Sequence, residues 1–236
     1  MKYAFPASPV PTVPIAGTDL SYPVRRIYCV GRNYAEHARE MGFEPEREAP
    51  FFFTKPADAI VADGATIPYA LATQNLHHEI ELVAAIGKGG VGIARESALE
   101  HVYGYAVGID MTRRDLQLGA RDKGRPWDVG KAFDDSAPIS AIQRADEIGH
   151  PRAGAIQLSV NGQLRQSADL QQLLWPVADL VAELSRLFVL QPGDLIYTGT
   201  PAGVGPVTSG DELQGSIEGV GTITLRIGAR SAGHEP

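Results

Sequence analysis

The stretch NLHHEIELVAAIG, positions 75 to 87, limits what this chain can fold into more than any other segment. Ile80, Leu82, Val83, Ala84, Ala85 and Ile86 form an apolar run closed by a glycine, the pattern of a strand buried on both faces. Yet Glu79 and Glu81 stand inside its first half. Residues two apart on a strand project from the same face, so the two carboxylates point together. Side by side they repel, and the repulsion is relieved by one shared proton, which raises one pKa, or by a cation between them. A solvated pair on an edge strand is the alternative that spacing alone leaves open.

A second strand-like segment, Tyr103 to Ile109, ends at Asp110. If it lies beside the first, it brings a third carboxylate to the pair. Three carboxylates without cysteine suit a hard divalent ion, Mg²⁺, Mn²⁺ or Ca²⁺, completed by water and substrate oxygens. His77 and His78 read as supporting or turn residues, because a hard, oxygen-rich site takes water in its remaining positions.

Around this centre the first twenty or so residues, broken by Pro6, Pro9, Pro11, Pro14 and Gly17, read as an extended arm. Arg26 to Gly31, Pro50 to Thr54 and Ala59 to Ala62 read as strands, and Asn33 to Met41 as a short helix. Ala94 to Val102 and Thr112 to Arg121 have helical composition. Leu158 to Asn161 with Gly162 suggests a hairpin strand and its turn. Val177, Leu180, Val181, Leu184 and Leu187 recur at three- and four-residue steps, the mark of an amphipathic helix over Trp175 to Leu187. Beyond Asp194 short strands, Leu195 to Thr198 and Gly221 to Ile227, are parted by Gly and Pro. The second half is therefore β-rich rather than alternating βα.

At 236 residues, 44% of them hydrophobic, the chain suits one large domain. It holds no apolar run of about 18 residues, so no membrane span is expected. Nor does an apolar region follow Lys2 in the manner of a signal peptide. The single cysteine, Cys29, excludes an intramolecular disulfide and reads as a small buried hydrophobe. A cytoplasmic protein is expected. The net charge of −7 argues against a nucleic-acid surface and leaves small anionic substrates open where a few cations gather.

Two further patterns need weighing. Gly87-Lys88-Gly89-Gly90-Val91-Gly92 matches the dinucleotide-binding fingerprint G-x-G-x-x-G, with Asp110 eighteen positions on (110 − 92 = 18). The carboxylates in the preceding strand and the missing βα units favour a plain glycine turn. His37 and Glu40 are three apart on the short helix and share one face. A carboxylate beside His orients the ring and raises its basicity, which makes a general base near neutral pH. An exposed helix pair is the bland alternative.

Read together, the segments Tyr28-Cys29-Val30-Gly31-Arg32-Asn33-Tyr34-Ala35-Glu36-His37, Phe53-Thr54-Lys55-Pro56, His78-Glu79-Ile80-Glu81-Leu82, Gly108-Ile109-Asp110-Met111-Thr112-Arg113-Arg114-Asp115, Gly130-Lys131-Ala132-Phe133 and Thr198-Gly199-Thr200-Pro201-Ala202-Gly203-Val204-Gly205 resemble, in order, the motifs of the fumarylacetoacetate hydrolase family. The likeness runs from about Arg25 to Ile227. It implies an α+β, β-rich fold, a mixed β-sandwich roll like the C-terminal domain of that family, spanning 23–230 after a proline-rich arm of 1–22. It also implies a homodimer, Mg²⁺ (or Mn²⁺ or Ca²⁺) held by Glu79, Glu81 and Asp110, and no organic cofactor. The family's catalytic groups fall on His37, Glu40 and Lys131. Arg114, Gln117, Lys123, Thr200 and Tyr34 match substrate-binding positions. Two departures stand out: Arg113 where the family pattern D-x-T-A-R-D has Ala, and Ala132 where Ser commonly follows the lysine.

The resemblance implies hydrolysis of a carbon–carbon bond in a 2,4-dioxo acid, with His37 activating water and Lys131 placed where negative charge develops. The proline-rich arm and the stretch ATQNLHHEIELVAAIG are most similar to bacterial members that split fumarylpyruvate into fumarate and pyruvate in gentisate breakdown. The same scaffold also hosts oxaloacetate decarboxylases, general acylpyruvate hydrolases and 2-hydroxy-diene-dioate isomerases or decarboxylases. A non-catalytic dicarboxylate-binding module is a reading of another class. No partner other than a small dioxo acid and a second copy of the chain is expected.

Overall fold

The computed structural model describes residues 2–40 and 49–230. Its centre is the Ile80–Ile86 strand, every residue of which is buried. It pairs antiparallel with Val102–Ile109 on one side and with Asp194–Tyr197 on the other. Outward from these lie Arg26–Gly31 and Phe51–Lys55 on one flank, and Ala137–Ile139 and Ile60–Ala62 on the other. Gln143–Arg144, also paired with Val102–Ile109, completes eight strands.

The alternation of the central strand explains the two cores. Ile80, Leu82, Ala84 and Ile86 face a large apolar cluster shared with a second, five-stranded sheet, Gln163–Asp169, Ala155–Val160, Glu212–Ile217, Gly221–Gly228 and Thr66–Pro68. Val83 and Ala85 face the opposite way, into a smaller cluster with Ile27, Cys29, Ala106, Leu195 and Tyr197. Burying each large aliphatic side chain contributes about 1.5–3 kcal/mol. The Val177–Leu187 helix adds Val177, Leu180, Val181 and Leu184 to the larger core, on the face its spacing predicted. Leu187 is exposed.

The arm is shorter than the proline spacing suggests. Thr12–Pro14 and Ser21–Pro23 form an antiparallel hairpin that buries Val13, Ile15 and Tyr22 in the smaller core. The Tyr22 hydroxyl has one hydrogen to share between the Ile86 and Asp194 carbonyls, at 2.8 and 2.9 Å, and accepts from Gly193 N–H at 3.1 Å, and so fastens the hairpin to the central sheet. Proline is tolerated because this is a two-stranded edge.

Other differences are small and have local causes. The segment 94–102 forms a 3₁₀-helix, Arg95–His101, rather than an α-helix. The helix expected from Thr112 starts at Arg114, because Thr112 and Arg113 pair with Leu76–His78 in a three-stranded ribbon. The short helix expected over Asn33 to Met41 is Ala35–Glu40, and Met41 lies outside the described residues. Asn161 and Gly162, both with positive φ (52° and 75°), make the two-residue turn that joins Ala155–Val160 to Gln163–Asp169. The glycine fingerprint follows a strand with antiparallel neighbours, and Gly90 pairs with Leu190, so no βαβ nucleotide unit forms there. Among the described residues no helix is long and apolar enough to cross a membrane.

Candidate active site

Glu79 sits in the break between the Leu76–His78 and Ile80–Ile86 strands. There the Ile80 N–H leaves the ladder to donate to Gln166 Oε1 at 3.0 Å, and the Glu79 carbonyl accepts from Asp110 N–H at 2.8 Å. That bond holds the end of Val102–Ile109 against the break. As the strand spacing suggests, Glu79, Glu81 and Asp110 converge, each buried, with one carboxylate oxygen of each within 4.8 Å of the others.

The carboxylates are met by three buried cations. Lys131, at the end of the short Asp128–Lys131 helix, donates from Nζ to Glu79 Oε2 (2.7 Å), Asp110 Oδ2 (2.6 Å) and Thr112 Oγ1 (2.7 Å). All three of its ammonium hydrogens are used. Arg114, the first residue of the Arg114–Asp122 helix, donates to the other Glu79 oxygen and to Gln117. Lys55 lies with Nζ 2.8 Å from Asp110 Oδ1 and donates to the Met111 and Lys131 carbonyls.

Charge sorts the acids. Burial alone would raise Glu79, but the Lys131 and Arg114 charges overcome it and hold that carboxyl well below the usual range. Burial, reinforced by the charges of Asp110 and Glu79, pushes Glu81 well above its ordinary value. Its one bond of note is from Gly199 N–H to Oε2, at 2.7 Å. Gly199 has φ of +100°, and a Cβ there would stand 2.6 Å from that of Asn33, so only glycine presents this donor. Burial would lower Lys131, yet Asp110 and Glu79 raise it.

The donor set fits a hard dication. It is all oxygen and anionic, and Asp110 Oδ1 makes no hydrogen bond, with Lys55 Nζ 2.8 Å away as its ion-pair partner. A buried carboxylate oxygen left without a hydrogen bond is costly, and a metal ion would satisfy it.

His37 Nδ1 lies 3.1 Å from Glu40 Oε2, and both Glu40 oxygens accept from Gly203 N–H at 3.2 Å. Burial opposes ionisation of Glu40, but these hydrogen bonds win and hold it below its ordinary value. His37 lines the same cavity as Glu79, Glu81, Arg114, Gln117, Lys131 and Thr200, a space that opens to solvent. Thr200 Oγ1 accepts from Gln166 Nε2 at 2.8 Å. His78 also bonds Gln166, and His77 contacts Arg114, both in the supporting places expected of them. Burial and the Arg114 charge push His77 down to about 4.

Two expected substrate residues stand apart. Lys123 is exposed just past the Arg114–Asp122 helix and is absent from the cavity lining. Tyr34 is buried, its hydroxyl has no hydrogen-bond partner, and burial raises its pKa; it too lies off the lining. Three cations in the site went unassigned. Lys55 lies in the Phe53-Thr54-Lys55-Pro56 motif, which by itself assigns it no role. Arg32 and Arg121 line the cavity, and Arg121 could have been found by continuing the helical steps from Arg114. Of the two departures, Arg113 stacks on the Phe133 ring at 4.3 Å, and neither it nor Ala132 lines the cavity.

The profile of the family described as Fumarylacetoacetate (FAA) hydrolase C-terminal matches residues 26–228, which carry every group above. The chain belongs to the fumarylacetoacetate hydrolase family. Its α+β, β-rich fold is the family's, and among solved structures it matches a crystal structure of fumarylpyruvate hydrolase from Pseudomonas aeruginosa, in complex with Mn²⁺ and pyruvate. That match has a TM-score of 0.95 and 56% identity, over 97% of this chain and 100% of the other. A fumarylpyruvate hydrolase of Ralstonia sp is 50% identical over 181 residues, 77% of this chain and 94% of its own. A mitochondrial oxaloacetate tautomerase of Mus musculus is 39% identical over 203 residues, 86% of this chain and 91% of its own.

Proposed function

We propose that this member of the family hydrolyses fumarylpyruvate to fumarate and pyruvate. One observation carries the reading: Glu79 and Glu81, clustered with the buried Asp110, line a single cavity with Lys131, Arg114 and His37, whose ring is paired with Glu40. The fumarylpyruvate hydrolase relatives support the substrate.

Glu79, Glu81 and Asp110 would hold a divalent ion, Mg²⁺ or Mn²⁺, which supplies positive charge against the oxygens of the 2-oxo acid. Arg114 orients the C1 carboxylate, a group it can grip with two parallel hydrogen bonds, and Gln117 and Thr200 offer further polar contacts. His37, with Nδ1 engaged by Glu40, takes a proton from water at Nε2. The water oxygen attacks C4, the C3–C4 bond breaks, and its electron pair leaves as the enolate of pyruvate. Lys131 stabilises that developing charge. The imidazolium then returns the proton to C3, which completes pyruvate; fumarate keeps the oxygen from water.

Several finer points belong to the same proposal. A homodimer is supported by the exposed apolar residues Val91, Leu187, Phe188 and Val189, which the Gly90–Leu190 bridge draws together. Cys29, the single cysteine and buried, suits a reducing cytoplasm. Gentisate breakdown is a route that would supply the substrate. We place the arm at residues 1–11 and the catalytic domain from the Thr12 hairpin to residue 230.

The oxaloacetate tautomerase relative favours a second reading, proton transfer on oxaloacetate. A spectrophotometric assay of metal-loaded protein with fumarylpyruvate, acetylpyruvate and oxaloacetate separates the two. Fast loss of the fumarylpyruvate enol absorbance with release of pyruvate is expected. Turnover of oxaloacetate alone would overturn the hydrolase reading.

A further inference from the structure

The Arg114–Asp122 helix lays Arg114, Gln117, Leu118 and Arg121 along the cavity at three- and four-residue steps. The two arginines differ in depth. Arg114 is buried beside Lys131 and Glu79, whereas Arg121 is half-buried, as is Arg32, which lines the same cavity from the end of the Arg26–Gly31 strand. Deep and shallow cations therefore share one space, whose other walls include Leu118, Phe53 and Trp127.

Cations at two depths with apolar walls match one ligand chemistry, a diacid whose carboxylates are separated by an apolar spacer. Resting on the hydrolase reading, we propose that Arg121, assisted by Arg32, binds the distal carboxylate of the acyl group and selects dicarboxylic over simple acylpyruvates.

The dimensions agree. Seven positions along a helix separate Arg114 from Arg121 by about 10 Å. A seven-carbon diacid spans the bonds of two extended residues, about 7 Å, which flexible arginine side chains reach from both ends. Acetylpyruvate, with a single carboxylate, leaves the outer arginine without a substrate partner, and oxaloacetate is about half as long. Arg121 also meets its neighbour Asp122, at 3.1 Å from Nε and 3.0 Å from Nη2, with the Asp122 carboxylate itself largely in solvent. Arg32 adopts a positive φ of 59°, unusual for a side chain-bearing residue, and stands 5.7 Å over the Phe51 ring.

The test compares wild type, Arg121→Met and Arg121→Lys. Steady-state kinetics on fumarylpyruvate and acetylpyruvate give selectivity, and titration calorimetry with the unreactive 2-oxoheptanedioate and 2-oxopentanoate gives binding without turnover. A charge-assisted contact is worth about 10- to 100-fold. In Arg121→Met the kcat/KM for fumarylpyruvate should fall by that factor more than for acetylpyruvate, mainly through KM. The binding preference for the diacid should disappear, and Arg121→Lys should recover part of both. Equal losses on both substrates, or a diacid preference that survives in Arg121→Met, would overturn the inference. A wild type that prefers the diacid yet fails to hydrolyse fumarylpyruvate would fell the hydrolase reading and support the distal site.

Discussion

The two ends of the ladder between Ile80–Ile86 and Val102–Ile109 share one antiparallel backbone pairing and differ in what their side chains do. At the far end Ala84, Ala85 and Ile86 are packed on both faces, and Tyr22 spends its hydroxyl on backbone groups. At the near end Glu79, Glu81 and Asp110 are equally buried, but they are balanced by Lys55, Lys131 and Arg114 brought from three other segments. Burial at the far end adds stability by removing apolar surface from water. At the near end ions are desolvated, and their mutual attraction roughly offsets that cost. One end holds the fold, and the other is kept for chemistry.

The comparison breaks most sharply at His37. In His37→Ala, fumarylpyruvate hydrolysis should drop about 10²- to 10⁴-fold while metal binding persists; a wild-type rate would remove His37 from the reaction. Next comes Lys131→Met, which leaves Glu79 and Asp110 without their shared counter-ion. Urea unfolding of the metal-free protein should show about 3–5 kcal/mol less stability, and no loss would mean that the other cations suffice. Ile86→Ala tests the far end and should cost about 2–5 kcal/mol with Mn²⁺ affinity unaltered. A fall in affinity would show that the ends are coupled.

The smallest effect belongs to an exposed acid outside the cluster. Asp115 accepts from Thr73 Oγ1 and from the backbone N–H groups of Gln74 and Leu116. Slight burial works against ionisation, and these bonds outweigh it, so its pKa is lowered in the folded chain. A depressed carboxylate adds stability above its unfolded pKa of about 3.9, and that stability is lost as pH falls through the folded value. Acid unfolding of Asp115→Asn should therefore be less steep below about pH 4 than that of wild type. Identical acid limbs would show that Asp115 contributes nothing.

The same contrast governs what could be read from the chain. The far end and the Val177–Leu187 helix were legible because apolar periodicity reports burial directly. The acids were legible because two carboxylates in an apolar run have few explanations. Their counter-ions were harder. Lys55 ends a strand like any solvated lysine, and only tertiary pairing puts it on Asp110. Lys123 carried the expected charge but lies beyond the last helical turn, whereas Arg121 keeps the cavity's helical phase. The Thr12–Pro14 strand was hidden by prolines that read as breakers, since nothing local shows that Val13 and Ile15 have a core to enter.

The most direct measurement is calorimetric titration of Mn²⁺ into chelator-treated wild type and Asp110→Ala. A single site per chain is expected in wild type and none in the variant. Equal binding by both would show that the buried acids of the central strand do not hold the metal.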